Sequence, residues 1–199
     1  MDTKTSNILL SGVGGQGILL AGQILAETAL ASGYDVKKAE VHGMAQRGGS
    51  VVSHVRFGNE VFSPLISEGE ADFLIAFEAL EALRYLGYLR ADATIILNEQ
   101  KILPQPVRIG DATYPGNILE ICQRAAGLVL AVNADEAAET LGDRRVANIL
   151  LLGMLSIFLP FPMANWLDSI RERVPVKTFS TNQKAFENGR LLAEQQTHQ

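Results

Sequence analysis

The sequence has a single cysteine, Cys122. One thiol excludes an internal disulfide. It also excludes an iron–sulfur cluster held by this chain alone, because such clusters take about four thiolates. A reducing, cytoplasmic setting is the expectation. The three histidines, His42, His54 and His198, fall on separate segments. HExxH, CxxC, P-loop and GxSxG patterns are absent, so no metal site is expected. Positive charge is also scarce: 17 Lys and Arg against 22 Asp and Glu give a net charge of -5. That excludes the basic footprint of a nucleic-acid binder and a polybasic membrane-surface segment. No long hydrophobic run occurs either. The most apolar stretch, Val146 to Leu159, is broken by Asn148 and Ser156. As a helix it spans about 21 Å, short of the roughly 30 Å of a bilayer core. It reads as a buried helix. Met1 to Asn7 is polar and carries no signal-peptide core.

The remaining composition, 47% hydrophobic and 20% charged over 199 residues, suits one self-sufficient domain, residues 1–199. Ile8 to Val13 is an apolar run that ends in glycines, which predicts a buried strand. Ile18, Ala21, Leu25 and Ala29 share a helical stripe that Gly33 ends. Tyr34 to Val41 predicts a second strand, giving a β-loop-α-β unit and a parallel sheet. Ser50 to Phe57 alternates. With the Gly58-Asn59 turn and the extended Glu60 to Ile66, it predicts a β-hairpin. Strands are expected at Ala71 to Phe77, Ala93 to Leu97 and Leu128 to Val132, with helices at Glu78 to Arg90 and Asn117 to Ala126. Pro104 and Pro106 mark a loop or edge. From Asp135 onward the chain is mainly helical, fraying at Gln195. The fold expected is a three-layer, Rossmann-like α/β domain. Its sheet is mixed and mainly parallel, with an inserted β-hairpin and a helical C-terminal third.

Two motifs concentrate chemistry. Gly12-Val-Gly-Gly-Gln-Gly17 follows a strand and opens a helix, the setting of a dinucleotide fingerprint. Its glycines let a phosphate approach the backbone, and the helix N-terminus favours an anion. Gly12, Gly14, Gly15, Gln16 and Gly17 are therefore a candidate phosphate cradle. Glu40 stands where a ribose-binding acid is expected, yet the hairpin that follows argues against a full dinucleotide half-site. The competing reading is a tight turn packed on a neighbouring subunit. The second motif, Glu40-Val-His-Gly-Met-Ala-Gln-Arg-Gly-Gly-Ser50, gathers polar side chains and glycines between two strands. Arg47 can grip a carboxylate or phosphate, His42 can move a proton or donate a hydrogen bond, and Gln46 both donates and accepts. Glu40, His42, Gly43, Met44, Gln46, Arg47, Gly48, Gly49 and Ser50 form a candidate interface or site loop. His42, Gln46 and Arg47 are its cleft-lining candidates. The bland alternative is a rigid loop. Asp135 to Glu139 reads as a solvated helix start with acids at the positive end of the dipole. Cys122 reads as buried and inert.

These two motifs, extended by Ile18-Leu-Leu-Ala-Gly22 and Val51-Val-Ser-His-Val-Arg56, resemble the gamma domain of 2-oxoacid:ferredoxin oxidoreductases. Ser63-Pro-Leu-Ile66, Gly69-Glu-Ala-Asp72 and Asn182-Gln-Lys-Ala-Phe-Glu-Asn-Gly189 continue the likeness across nearly the whole chain. The long Glu40 to Gly49 stretch and Glu78-Ala-Leu-Glu-Ala-Leu-Arg-Tyr-Leu86 are most similar to the small subunit of the indolepyruvate type. The resemblance implies a subunit of an oxidoreductase that is inactive alone. The reaction it implies is oxidative decarboxylation of a 2-oxoacid, with coenzyme A accepting the acyl group and ferredoxin the electrons. Thiamine diphosphate, magnesium and [4Fe-4S] clusters are then expected on a large alpha-type partner, and ferredoxin would meet the complex through that partner. The glycine loop would share coenzyme A, and the 40–50 loop would help close a cleft against water. Two other classes stay open: a stand-alone NAD- or FAD-binding protein, and a ligand-free assembly or regulatory module.

Overall fold

The computed structural model describes residues 5–42 and 49–198. Six strands form one sheet: β1 (Ser6–Val13), β2 (Asp35–His42), β3 (Ser50–Gly58), β4 (Ala71–Ala76), β5 (Leu89–Asn98) and β6 (Leu128–Val132). Their order across the sheet is β2-β3-β1-β4-β5-β6. β3 alone runs opposite in direction to the other five strands. The helices are α1 (Ile18–Ala31), α2 (Ala79–Arg84), α3 (Gln105–Arg108), α4 (Ile118–Ala125), α5 (Ala134–Thr140), α6 (Ala147–Ser156), α7 (Met163–Arg173) and α8 (Phe179–Thr197).

The central strands are buried on both faces, which is why they read as unbroken apolar runs. Ile8, Leu9 and Leu10 are all fully buried. Alternate residues feed two cores. Ile8, Leu10 and Ile75 face the layer of α1 and α5 to α8, while Leu9, Leu74 and Leu97 face α2 and α4. The expected three-layer architecture is therefore present. The helix α6 is apolar all round, and Asn148 to Ser156 are buried without exception. Such a helix must be covered on every side. The covering helix is α8, which crosses it where Gly153 meets the Phe186 carbonyl and Gly189 meets the Leu150 carbonyl.

The predicted hairpin is corrected by the sheet. Glu60 to Ile66 is not a strand. The hairpin that exists pairs β2 with β3, from Asp35↔Gly58 to His42↔Val51. Side chains satisfy the backbone of the 60–66 segment instead. Arg56 donates to the Ser63 and Leu65 carbonyls at 3.1 and 2.9 Å. Asp35 and the His54 ring accept from the Val61 and Ile66 N–H groups. Other boundaries shift as well. The helix expected to Arg90 stops at Arg84, and β5 starts at Leu89 rather than Ala93. The prolines at 104 and 106 open the one-turn helix α3, a place where a missing N–H costs nothing. The last helix runs on to Thr197.

Candidate functional site

The glycine loop joins β1 to α1 at the carboxyl end of the sheet. Gly15 and Gly17 have φ of 110° and 79°, where a side chain would be strained. Gln16 braces the loop from within. Its Oε1 accepts from the Val13 N–H at 2.7 Å, and its Nε2 donates to the Phe77 carbonyl at 2.7 Å and to Gln100 Oε1 at 2.5 Å. A Cβ on Gly12 would sit 2.7 Å from Gln16 Oε1, so this glycine makes room for the brace. The Gly14 N–H donates to the Gly49 carbonyl at 2.9 Å. Among the described residues, the N–H groups of Gly15, Gly17 and Ile18 have no hydrogen-bond partner. They are the orphan donors of a helix start, placed for an anion.

A cavity opens on each side of this loop. One, of about 530 Å³, is lined by Gly14, Gly15, Gly17 and the apolar Ile18, Leu19, Leu20 and Val51. The other, of about 430 Å³, shares Gly15, Gly17 and Leu20 and carries more polar side chains than the first. Its polar lining residues are Gln16, Asn98, Gln100, Asp135, Arg144, Arg145 and Asn148. It lies where β1 and β4 part toward opposite sides of the sheet, the crevice in which open α/β sheets take ligands. Asn98 is buried and fully used: it donates to the Phe77 carbonyl and to Asp135, and accepts from the Ala134 N–H, each at 3.0 Å. Asp135 in turn holds Arg144 at 2.8 Å, and Asp143 holds Arg145 at 2.7 Å. Hydrogen bonds from Arg145 bring the pKa of the Asp143 carboxyl down to about 2. Both guanidinium groups stay largely exposed, so they can turn to an anion at the cavity mouth.

The sequence motifs meet in part. Gly49 and Ser50 close on the glycine loop: Gly49 through Gly14, and Ser50 through its pairing with Val13. Glu40 does not reach it. Because β3 lies between β2 and β1, Glu40 stands on an edge strand and binds Lys38 at 2.7 Å. The ribose-binding position expected for it is thereby overturned. The candidates Gly43, Met44, Gln46, Arg47 and Gly48, and the His42 side chain, lie outside the described residues. The structure adds Asp135, Arg144, Arg145 and Asn148, which by sequence belong to a solvated helix start, a turn and a buried helix. The proximity of Asn148 to Gly17, 131 positions apart, is invisible in the chain order.

Cys122 is buried on α4, and burial pushes the pKa of its thiol up to about 11. That is the opposite of what a metal ligand or nucleophile needs. Among the described residues no three His, Cys, Asp or Glu side chains gather to hold a metal, and no helix is long and apolar enough to cross a membrane.

Comparisons with known proteins agree with this geometry. Indolepyruvate oxidoreductase subunit IorB of Thermococcus kodakarensis is 41% identical over 197 residues, covering 96% of this chain and 98% of its own. The same subunit of Archaeoglobus fulgidus is 43% identical over 187 residues, 92% of each chain. Among solved structures, a keto/oxoacid ferredoxin oxidoreductase gamma subunit from Geobacter sulfurreducens superposes with a TM-score of 0.72 at 24% identity, over 96% of this chain and 99% of its own. Residues 7–192 match the pyruvate ferredoxin/flavodoxin oxidoreductase family, and this chain belongs to it.

Proposed function

We propose that this chain is the small, gamma-type subunit of an indolepyruvate:ferredoxin oxidoreductase and contributes the site for the phosphates of coenzyme A. The observation that carries the site is the second cavity, with its polar side chains and arginines. Gly15 and Gly17, whose N–H groups have no hydrogen-bond partner among the described residues, and two exposed arginines line one space of about 430 Å³. Phosphate binding needs little more than that. The apolar cavity beside Leu19 and Leu20, which reaches Val51 on β3, suits the pantetheine arm. In this reading Gln46 and Arg47 help to close the cleft, and the exclusion of water protects a reactive intermediate.

The electron-transfer chemistry belongs to a large alpha-type subunit with thiamine diphosphate, magnesium and [4Fe-4S] clusters, which also meets ferredoxin. This chain's own donor set does not fit the clusters. It has one cysteine, and that one is buried. A solved 2-oxoglutarate:ferredoxin oxidoreductase from Magnetococcus marinus, with 2-oxoglutarate, coenzyme A and succinyl-CoA bound, has the same fold over 98% of this chain (TM-score 0.75, 18% identity). This chain spans 32% of that one. The rival NAD reading loses its ribose-binding acid with Glu40 on the edge strand.

The test is anaerobic co-expression with the large subunit, then assay of ferredoxin reduction with indolepyruvate and coenzyme A. Turnover should need both chains, and should fall with Arg47→Ala while the complex still assembles. Normal turnover by Gln46→Ala and Arg47→Ala complexes would remove the loop from the site.

A further inference from the structure

Glu81 lies on α2, across the sheet from α1 and the arginine-lined cavity. It is 5% exposed. A carboxyl group so deep must have its oxygens bound. Glu81 Oε2 accepts from the Ser50 hydroxyl at 2.5 Å, and Oε1 accepts from Arg84 Nε at 2.9 Å. Its backbone carbonyl accepts from the Ser11 hydroxyl at 3.4 Å. Ser11 is in β1 and Ser50 begins β3, directly opposite Val13. One step beyond that pair the Gly49 carbonyl takes the Gly14 N–H. Glu81 therefore grips both strands at the point where they release the glycine loop.

Glu78 shows that this placement is particular. It is also buried, at 1% exposed, and lies three residues earlier. Its oxygens accept from the Glu81 N–H, the Ile102 N–H and the Tyr114 hydroxyl. None of these partners is on β1 or β3. Glu78 holds the layer of α2 together, whereas Glu81 reaches the strands of the site.

From this the structure assigns Glu81 as a positioning residue for the glycine loop: through Ser50 and the Gly49 carbonyl it fixes Gly14, and so the direction of the Gly15, Gly17 and Ile18 N–H groups. The inference rests on the reading that this loop takes coenzyme A phosphates. A loop displaced by a fraction of an ångström keeps its fold but aims its donors badly.

The experiment uses the assembled complex with the large subunit and compares Glu81→Ala, Glu81→Gln, Ser50→Ala and Glu78→Gln. Glu81→Ala and Ser50→Ala should each raise KM for coenzyme A about tenfold, leaving kcat and KM for the 2-oxoacid within about twofold. Glu81→Gln should recover most of the loss, because its amide oxygen still accepts from Ser50. Glu78→Gln should lower the melting temperature without touching KM for coenzyme A. Should Glu81→Ala fail to assemble, Ser50→Ala decides: a raised KM supports the assignment, an unchanged one overturns it. If KM for coenzyme A stays unchanged in both while Arg144→Ala/Arg145→Ala raises it, the positioning role is wrong and the phosphate site stands. If none of these variants moves it, both are wrong.

Discussion

Glycine does opposite work at two places in this molecule. Where α6 crosses α8, Gly153 and Gly189 have helical neighbours and are needed for what is outside them: a Cβ on either would run into the other helix's backbone. At the head of α1, a Cβ on Gly15 would meet nothing within 4 Å, yet the φ there is 110°. The first pair is tied to packing, and Gly15 to the turn that opens α1. A glycine in a sequence does not announce which it is; the space around it does.

The largest expected effect is on the packing side. Gly153→Ala should destabilise the fold by about 3 kcal/mol, since the obstruction is backbone and cannot move aside cheaply. Denaturant melts of the isolated chain would show it. On the site side, Arg144→Ala/Arg145→Ala should raise KM for coenzyme A in the complex about tenfold and change stability by no more than about 0.5 kcal/mol, because both heads are exposed. Gly15→Ala sharpens the contrast. It should cost about 1 kcal/mol of stability through backbone strain alone, yet raise KM for coenzyme A several-fold. An equal loss of stability in Gly15→Ala and Gly153→Ala would collapse the distinction.

The smallest effect is one of pH. His54 is buried on β3, and burial, with Arg56 nearby, holds its pKa below the usual histidine value. The unfolded chain takes up that proton first. The His54 contribution is therefore complete above about pH 6.5 and is lost as pH falls from there toward the lower folded value. His54→Gln should flatten this part of the stability profile measured by urea melts between pH 7.5 and 5.

The glycine loop and the helical third are legible because their signals are local. A strand that ends in glycines before a helical stripe occupies one stretch of chain. The hairpin is misplaced by sequence because the 60–66 segment has strand-like residues, Val61 and Ile66 among them, while its backbone partners are side chains from β2 and β3. Nothing local says that Arg56 will supply two donors there. The arginine cavity is illegible for the same reason. Arg144 and Arg145 follow Asp143 in what looks like an ordinary solvated turn, and only the fold brings them beside a loop near residue 15.

The antiparallel β3 has a consequence for the order of assembly. The β1-α1-β2 crossover leaves a gap one strand wide, and β3 must fill it with partners on both edges. Its pairing with β2 spans a short loop, whereas its pairing with β1 spans some forty residues and closes more slowly. The β2–β3 ribbon is thus expected to form first and slide into place as one piece. Within the β1–β3 ladder the Gly14–Gly49 end closes the shortest loop, so the glycine loop is tied to the start of β3 as that pairing begins. Amide protection at Gly14 should then appear no later than protection at the Ser6–Phe57 end of the β1–β3 ladder.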